Sequence, residues 1–139
     1  MATVNEVATK WVADMEFASQ IDDHIIHLDT VEAGGGHNNG PKPKALLLSA
    51  LTGCTGMDVV STLRKMHVSF SDFNLLAKAD LTDEHPRVYS RIELIYQIKV
   101  KPEDHEKVVK AVHLSKEKYC GVSAMLSKVC PIEFRIDYI

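Results

Sequence analysis

The sequence predicts an α+β fold in which one long apolar helix lies between two groups of strands. The chain has 139 residues, enough for one hydrophobic core with little room for a second. Its apolar fraction of 45% and charged fraction of 25% are typical of a globular protein. The predicted elements run strands, helix, strands, helix pair, strand, which is an α+β order. We therefore predict a single domain spanning residues 1–139.

The N-terminal part is predicted to contain short strands followed by a loop. Residues 8–31 have the composition of strands, and Asp22 and Asp23 mark a turn between two of them. Residues 34–40 are rich in glycine and asparagine, and two prolines follow closely. This composition indicates an irregular connection rather than a helix or a strand.

A long helix is predicted from about residue 43 to residue 66, because apolar residues recur there at spacings of three and four. The opposite flank is apolar as well, and a helix with apolar side chains on nearly all sides is usually central and buried. The periodic face carries Leu47, Ala50, Leu51, Cys54, Met57, Asp58 and Val60, and the other flank carries Leu46, Leu48 and Val59.

The C-terminal half is predicted to contain a strand pair, two helices and a last strand. Residues 67–80 and 87–100 alternate in the manner of an antiparallel pair with one wet face. The apolar parity of the second strand, predicted to face inward, carries Val88, Ile92, Leu94, Tyr96, Ile98 and Val100. Pro102 opens an amphipathic helix, and Ser115 is a candidate cap for a following helix that carries Cys120. The segment 132–138 alternates apolar and charged residues, which predicts the final strand.

The charge and hydropathy of the chain limit the kinds of partner and the cellular locations that we expect. The net charge is −3 and the charged residues are mixed along the chain, so no basic stripe indicates nucleic-acid binding. The longest apolar run, residues 45–48, is too short to cross a bilayer, and the first residues lack a secretion signal. We expect a cytoplasmic protein with no nucleic-acid or membrane partner, whose three cysteines are thiols.

Two of the cysteines differ in their predicted surroundings. Cys120 is expected near the first turn of a helix, where the positive end of the dipole would lower the pKa of its thiol. Cys54 lies two to three turns inside the long helix, so the dipole helps it little. A buried cysteine is also often no more than a small hydrophobe, and Cys130 fits that description best.

Seven histidines raise the question of a metal site. His24 and His27 lie three apart on a predicted strand, so their side chains point to opposite faces and cannot chelate one ion. His105 and His113 lie eight apart on a predicted helix, too far for one ion alone. The glycine-rich segment lacks the Lys-Ser/Thr pair of a phosphate loop. We therefore expect no bound metal and no cofactor.

The residues that surround Cys54 and Cys120 are more specific for a protein family than the spacing of the two cysteines is. Residues 40–60 read GPKPKALLLSALTGCTGMDVV, a Gly/Pro lead-in and an apolar helix with a cysteine eight residues after the first leucine. Residues 114–126 read LSKEKYCGVSAML, with the second cysteine in the seventh position. Both segments resemble the cysteine segments of the OsmC/Ohr family of osmotically inducible and organic hydroperoxide resistance proteins. The resemblance runs from about residue 10 to the C-terminus.

This resemblance implies an intertwined homodimer whose long central helix is buried against its twin and packed against antiparallel sheets. It also implies thiol-dependent reduction of organic hydroperoxides. Cys54 would be the peroxidatic cysteine, which becomes a sulfenic acid, and Cys120 the resolving cysteine, which forms a disulfide with it. An external dithiol would then reduce the disulfide.

The sequence departs from the family pattern at the residues that activate the thiol. Efficient members use an Arg from the N-terminal strands and a Glu just ahead of the central helix. Here no arginine precedes Arg64, and Lys44 occupies the Glu position. Asp58, one turn after Cys54, would disfavour a Cys54 thiolate, unless it is a polar group satisfied at a helix–helix contact. A non-enzymatic dimer that binds a small ligand or senses oxidants through Cys54 is therefore the alternative.

Overall fold

The computed structural model describes residues 3–139 and contains two three-stranded sheets and one long helix. The predicted α+β class is confirmed. The chain divides into two compact units, one ending at Leu47 and the other spanning Leu48–Ile139. The elements are β1 (Val7–Ala13), β2 (Glu16–Ile21), β3 (His24–Leu28), α1 (Ala45–Lys65), β4 (Phe70–Leu81), β5 (Tyr89–Val100), α2 (His105–Leu114), α3 (Gly121–Leu126) and β6 (Ile132–Tyr138).

The N-terminal unit is an antiparallel meander of β1, β2 and β3 followed by the glycine-rich loop. The predicted turn at Asp22 and Asp23 is confirmed, because Ile21 and His24 on either side of it are paired. Asp29 is 3% exposed and orders the loop: its carboxylate accepts hydrogen bonds from the backbone N–H groups of Thr30, His37 and Asn39. One buried carboxylate thus satisfies three backbone donors of an irregular segment.

The central helix α1 buries one stripe of side chains rather than its whole circumference. Its buried residues, Leu51, Thr55, Val59 and Leu63, recur every four residues and therefore lie on one face. Another face stays uncovered in the single chain, where Met57 is 76% exposed, so burial on nearly all sides, which was expected for a dimer, stays a prediction. Periodicity could show that both flanks are apolar but could not show how many of them a single chain covers.

A close contact fixes α1 on β4. A Cβ atom added at Gly56 would lie 2.9 Å from a methyl carbon of Leu75, so glycine permits the approach of the helix to the strand. By length and a mean hydropathy of 1.4 alone, α1 could also cross a membrane, which the short run at residues 45–48 did not indicate. Core helices of soluble proteins have the same property.

The second sheet has the order β4-β5-β6 and forms the core together with α1 and α2. The predicted antiparallel pairing is confirmed for β4 and β5, whereas β6 pairs with β5 in parallel. The parallel direction follows from the connection between β5 and β6, because α2 and α3 return the chain to the end of the sheet at which β5 begins. The residues of β5 predicted to face inward, Ile92, Leu94, Tyr96 and Ile98, are buried, and so is Ile95 on the other face.

Candidate functional site

Cys54 and Cys120 lie 66 positions apart in the sequence and meet in the fold of the C-terminal unit. Their Sγ atoms and a carboxylate oxygen of Asp58 all lie within 4.8 Å of one another. Cys54 is half-buried, whereas Cys120 is only 3% exposed. Both are free thiols, as is Cys130, which is buried at the junction between α3 and β6. The structure therefore brings together the two residues that the sequence singled out.

Helical spacing places Cys54 beside Asp58. The two residues are four apart on α1, so they occupy the same face one turn from each other. Cys54 is the tenth residue of the helix, and the dipole at the N-terminus has little effect that far along the axis. The predicted position of Cys54 two to three turns inside the helix is confirmed.

Cys120 reaches the site through an irregular link after α2. The link is a single π-helical turn, Ser115–Tyr119, and α3 begins only at Gly121. Ser115 is therefore not the cap that the sequence predicted. The N-cap is Cys120 itself, which has extended backbone angles and whose Sγ accepts a hydrogen bond of 3.3 Å from the N–H of Ser123. A capping sulfur is held in place by the start of its own helix.

Asp58 connects α1 to this link. The hydroxyl of Ser115, which is fully buried, donates a hydrogen bond of 2.9 Å to Oδ2 of Asp58. This bond agrees with the interpretation of Asp58 as a polar group satisfied by a second helical segment, and the same carboxylate also lies beside the two thiols. The sequence did not predict Ser115 as its partner, since only the tertiary fold brings the two residues together.

The surroundings of Cys120 favour the protonated form of its thiol. Burial raises the pKa of the Cys120 thiol to about 11, and the hydrogen bond with Cys54 and the charge of Asp58 act in the same direction. The predicted lowering of this pKa is wrong because burial and the adjacent thiol outweigh the amide of Ser123.

Tyr96 is a further member of the site that the sequence placed only in the core. Burial raises the pKa of its phenol to about 12, and the charges of Cys120 and Asp58 contribute, while a hydrogen bond with Thr55 acts against them. The side chain is 1% exposed. Its inward parity on β5 could be read from the sequence, but its position near Cys120 and Asp58 could not.

The raised pKa of Cys120 predicts slow alkylation at neutral pH. In a Cys54→Ser/Cys130→Ser variant, burial still acts on Cys120, so its rate with iodoacetamide should rise about tenfold per pH unit well beyond pH 9. Mass spectrometry of samples quenched at successive times gives the rate of alkylation. The same variant in denaturant is the control, and the midpoint of its rate against pH should lie near the ordinary pKa of a thiol. Equal midpoints in the two states would contradict the assigned burial effect.

An open apolar groove of about 740 Å³ runs along another face of α1. Met57 and Val60 of α1 line it on one side, and Phe73 and Leu75 of β4 line it on the other. Arg64 and Lys65 border its end, about 15 Å beyond Cys54 along the helix axis. These cations are thus too far along α1 to contact the thiol directly.

The histidines take part in other interactions. His37 of the glycine-rich loop forms an ion pair of 2.7 Å with Asp14, which raises the pKa of the imidazole. His27 lies 2.9 Å from Glu16, and His105 stacks on Tyr138 with ring centroids 3.5 Å apart. None of these contacts brings two imidazoles together.

A half-exposed thiol and a buried thiol lie close together in an α+β fold with one long helix. These features define a small protein with a paired-cysteine site. The family model for OsmC-like proteins matches residues 36–135. The chain therefore belongs to the OsmC-like family, and the resemblance noted in its cysteine segments is confirmed. That family includes organic hydroperoxide resistance proteins.

Individual relatives agree with this assignment over nearly the whole chain. Protein YhfA of Escherichia coli K12 is 31% identical over 135 residues, which are 96% of this chain and 98% of the relative. The crystal structure of an OsmC-like protein from Mycoplasma pneumoniae has a TM-score of 0.84 at 15% identity, covering 100% and 99% of the two chains. The organic hydroperoxide resistance protein OhrB of Bacillus subtilis has a TM-score of 0.64 at 15% identity, covering 97% and 98%. The last two likenesses concern the fold alone.

Proposed function

We propose that this protein reduces organic hydroperoxides with Cys54 as the peroxidatic cysteine and Cys120 as the resolving cysteine. The observation that carries the proposal is the pairing of their sulfurs within 4.8 Å, with one thiol half-exposed and the other buried. The exposed member can meet a peroxide, and the buried member is protected from the same oxidant. Such a difference in exposure suits one thiol that attacks the peroxide and a second thiol that then reacts with the resulting sulfenic acid.

The chemistry needs three balanced steps. The Cys54 thiolate attacks the terminal peroxide oxygen, the O–O bond breaks, and the leaving alkoxide takes a proton to become an alcohol. The Cys120 sulfur then displaces water from the Cys54 sulfenic acid, which requires the two sulfurs to approach to about 2.05 Å. An external dithiol reduces the disulfide by exchange and is itself oxidised.

The buried thiol suits the second step. A Cys120 that stays protonated at neutral pH does not compete for peroxide as a thiolate, and it loses its proton as the S–S bond forms. The adjacent phenol of Tyr96 also stays protonated, so it can donate a proton near the reacting sulfurs. We propose that it helps to protonate a leaving oxygen.

A second candidate function rests on the carboxylate. Asp58 stands next to both thiols, where efficient relatives are expected to place an activating cation, and its charge contributes to the raised pKa of the Cys120 thiol. A dimer that senses oxidants or binds a small ligand, without rapid turnover, would tolerate such a carboxylate. The two candidates differ in whether a dithiol sustains repeated peroxide reduction.

We further propose that the protein is a soluble, cytoplasmic homodimer. Family members are typically homodimers, and α1 keeps an exposed apolar flank that includes Met57. A second copy packed on this flank and the groove beside it would remove that apolar surface from water. The hydroperoxide and the dithiol reductant would be its other partners.

Mass spectrometry after one equivalent of cumene hydroperoxide tests the thiol chemistry. The expected product is a chain two hydrogens lighter, with the peptides of Cys54 and Cys120 linked by a disulfide. A Cys130→Ser variant is the matched control and should give the same link. Unmodified thiols, or a link that involves Cys130, would contradict the proposed pair.

A further inference from the structure

Asp58 is a poor neighbour for a thiolate but a good ligand for a cation. We propose that Cys54, Asp58 and Cys120 form a binding site for a thiophilic divalent metal ion, with Zn²⁺ as the best fit. This inference does not depend on the peroxidase chemistry proposed above. The earlier expectation of no bound metal rested on the spacing of histidines, whereas this cluster contains none.

The distances suit a small tetrahedral ion. With Zn–S bonds of about 2.3 Å and a Zn–O bond of about 2.0 Å, the ligand atoms of such a site lie about 3.5–3.8 Å apart. The three donor atoms here already lie within 4.8 Å of one another. A contraction of about 1 Å, within the reach of a side-chain rotation, would close the site around an ion.

The positions of the ligands in the fold resemble those of known metal sites. Cys54 and Asp58 stand at i and i+4 on α1, the spacing by which two ligands on one helix hold a zinc ion. Cys120 approaches from a separate segment at the start of α3. Two ligands from one helix and a third from elsewhere give a three-protein-ligand site with one position open.

Two of the ligands are already oriented by hydrogen bonds from neighbouring groups. The buried hydroxyl of Ser115 donates to Oδ2 of Asp58 at 2.9 Å, which leaves the other carboxylate oxygen free for an ion. The backbone N–H of Ser123 donates to Sγ of Cys120 at 3.3 Å. Such outer hydrogen bonds fix the ligands of metal sites and tune their basicity.

Charge gives the third reason. Two thiolates and a carboxylate can occupy this site together only when a cation lies among them, and a divalent ion compensates most of their charge. Sulfur ligands select Zn²⁺ over Mg²⁺ and Ca²⁺, which prefer oxygen. Each thiol loses one proton when it binds the ion, so two protons are released for each ion bound.

The test uses the reduced full-length protein, freed of metal with a chelator, and Zn²⁺ and Co²⁺ as probes. Calorimetry is expected to give one Zn²⁺ per chain and no binding of Mg²⁺. Co²⁺ should produce a thiolate-to-metal charge-transfer band in the near ultraviolet and the intense visible bands of a tetrahedral site. These readouts do not involve peroxide, so loss of peroxide reduction would leave them unchanged.

Variants assign the ligands. Because losing even an outer partner costs about 10- to 100-fold in metal affinity, removing either thiol in Cys54→Ser or Cys120→Ser should weaken Zn²⁺ binding by at least about 100-fold. Asp58→Asn, which keeps the size of the side chain, should weaken it by at least about 10-fold. Cys130→Ser and the exposed-loop variant Asp83→Asn are the matched controls and should bind as the parent does.

Three results would overturn the proposal. The first is a Co²⁺ complex without the charge-transfer band, which would mean that no thiolate binds the ion. The second is parental affinity in Cys54→Ser, Cys120→Ser or Asp58→Asn, with Cys54→Ala tested in parallel in case the serine hydroxyl binds the ion. The third is loss of binding in Cys130→Ser, which would move the site elsewhere.

Discussion

Replacing Cys54 by serine is expected to lower the rate of cumene hydroperoxide consumption with a dithiol by about 10³-fold or more, to the uncatalysed level. A serine hydroxyl is not ionised at neutral pH and cannot become a sulfenic acid, so the O–O bond has no nucleophile. The measurement is peroxide loss over time in the presence of a chelator. The chelator keeps metal ions from occupying the same sulfurs.

Cys120→Ser separates the two thiols in the same assay. It should still consume one equivalent of peroxide, because Cys54 is intact, and then stop or slow as the sulfenic acid persists. Trapping with dimedone would detect that acid on Cys54. Cys130→Ser should turn over at the parental rate. Parental turnover in Cys54→Ser would remove the peroxidatic assignment, and absence of turnover in the parent would favour the sensing or binding function.

The secondary structure could largely be predicted from the sequence because it depends on local patterns. Alternation placed the strands of the second sheet, strand-like composition and a turn placed those of the first, and the three-and-four spacing placed α1 within two residues of its observed ends. The direction of β6 could not be obtained in this way. Whether it runs parallel or antiparallel to β5 depends on how α2 and α3 return the chain, which is a property of the tertiary fold.

The candidate site shows the same division between local and tertiary information. Spacing alone gave no reason for Cys54 and Cys120 to meet, and the expectation came from the resemblance of their two segments to one family. The pKa of Cys120 was predicted in the wrong direction because burial cannot be read from a helix start. Likewise, Ser115 looked like a helix cap, whereas its hydroxyl binds Asp58 through a π-helical turn.

The exposed flank of α1 leads to the second large effect. The sequence indicated apolar residues around the helix, and the chain buries only the stripe from Leu51 to Leu63. Met57 is left 76% exposed beside the apolar groove. A large apolar side chain in such a position is costly to leave in water, and a second copy of the helix is the partner that we propose for it.

Met57→Glu is therefore expected to dissociate the proposed dimer, with a dissociation constant raised by at least about 100-fold. A two-fold interface contains the substituted residue twice, so two unpaired carboxylates would be buried for each dimer formed. Sedimentation velocity over a range of concentrations gives the result. Met125→Glu on α3, where the parent side chain is 65% exposed, is the matched control and should remain dimeric. If Met57→Glu stays dimeric at the lowest concentration, the interface does not include this flank of α1, and the groove beside it is free to hold the organic part of a hydroperoxide.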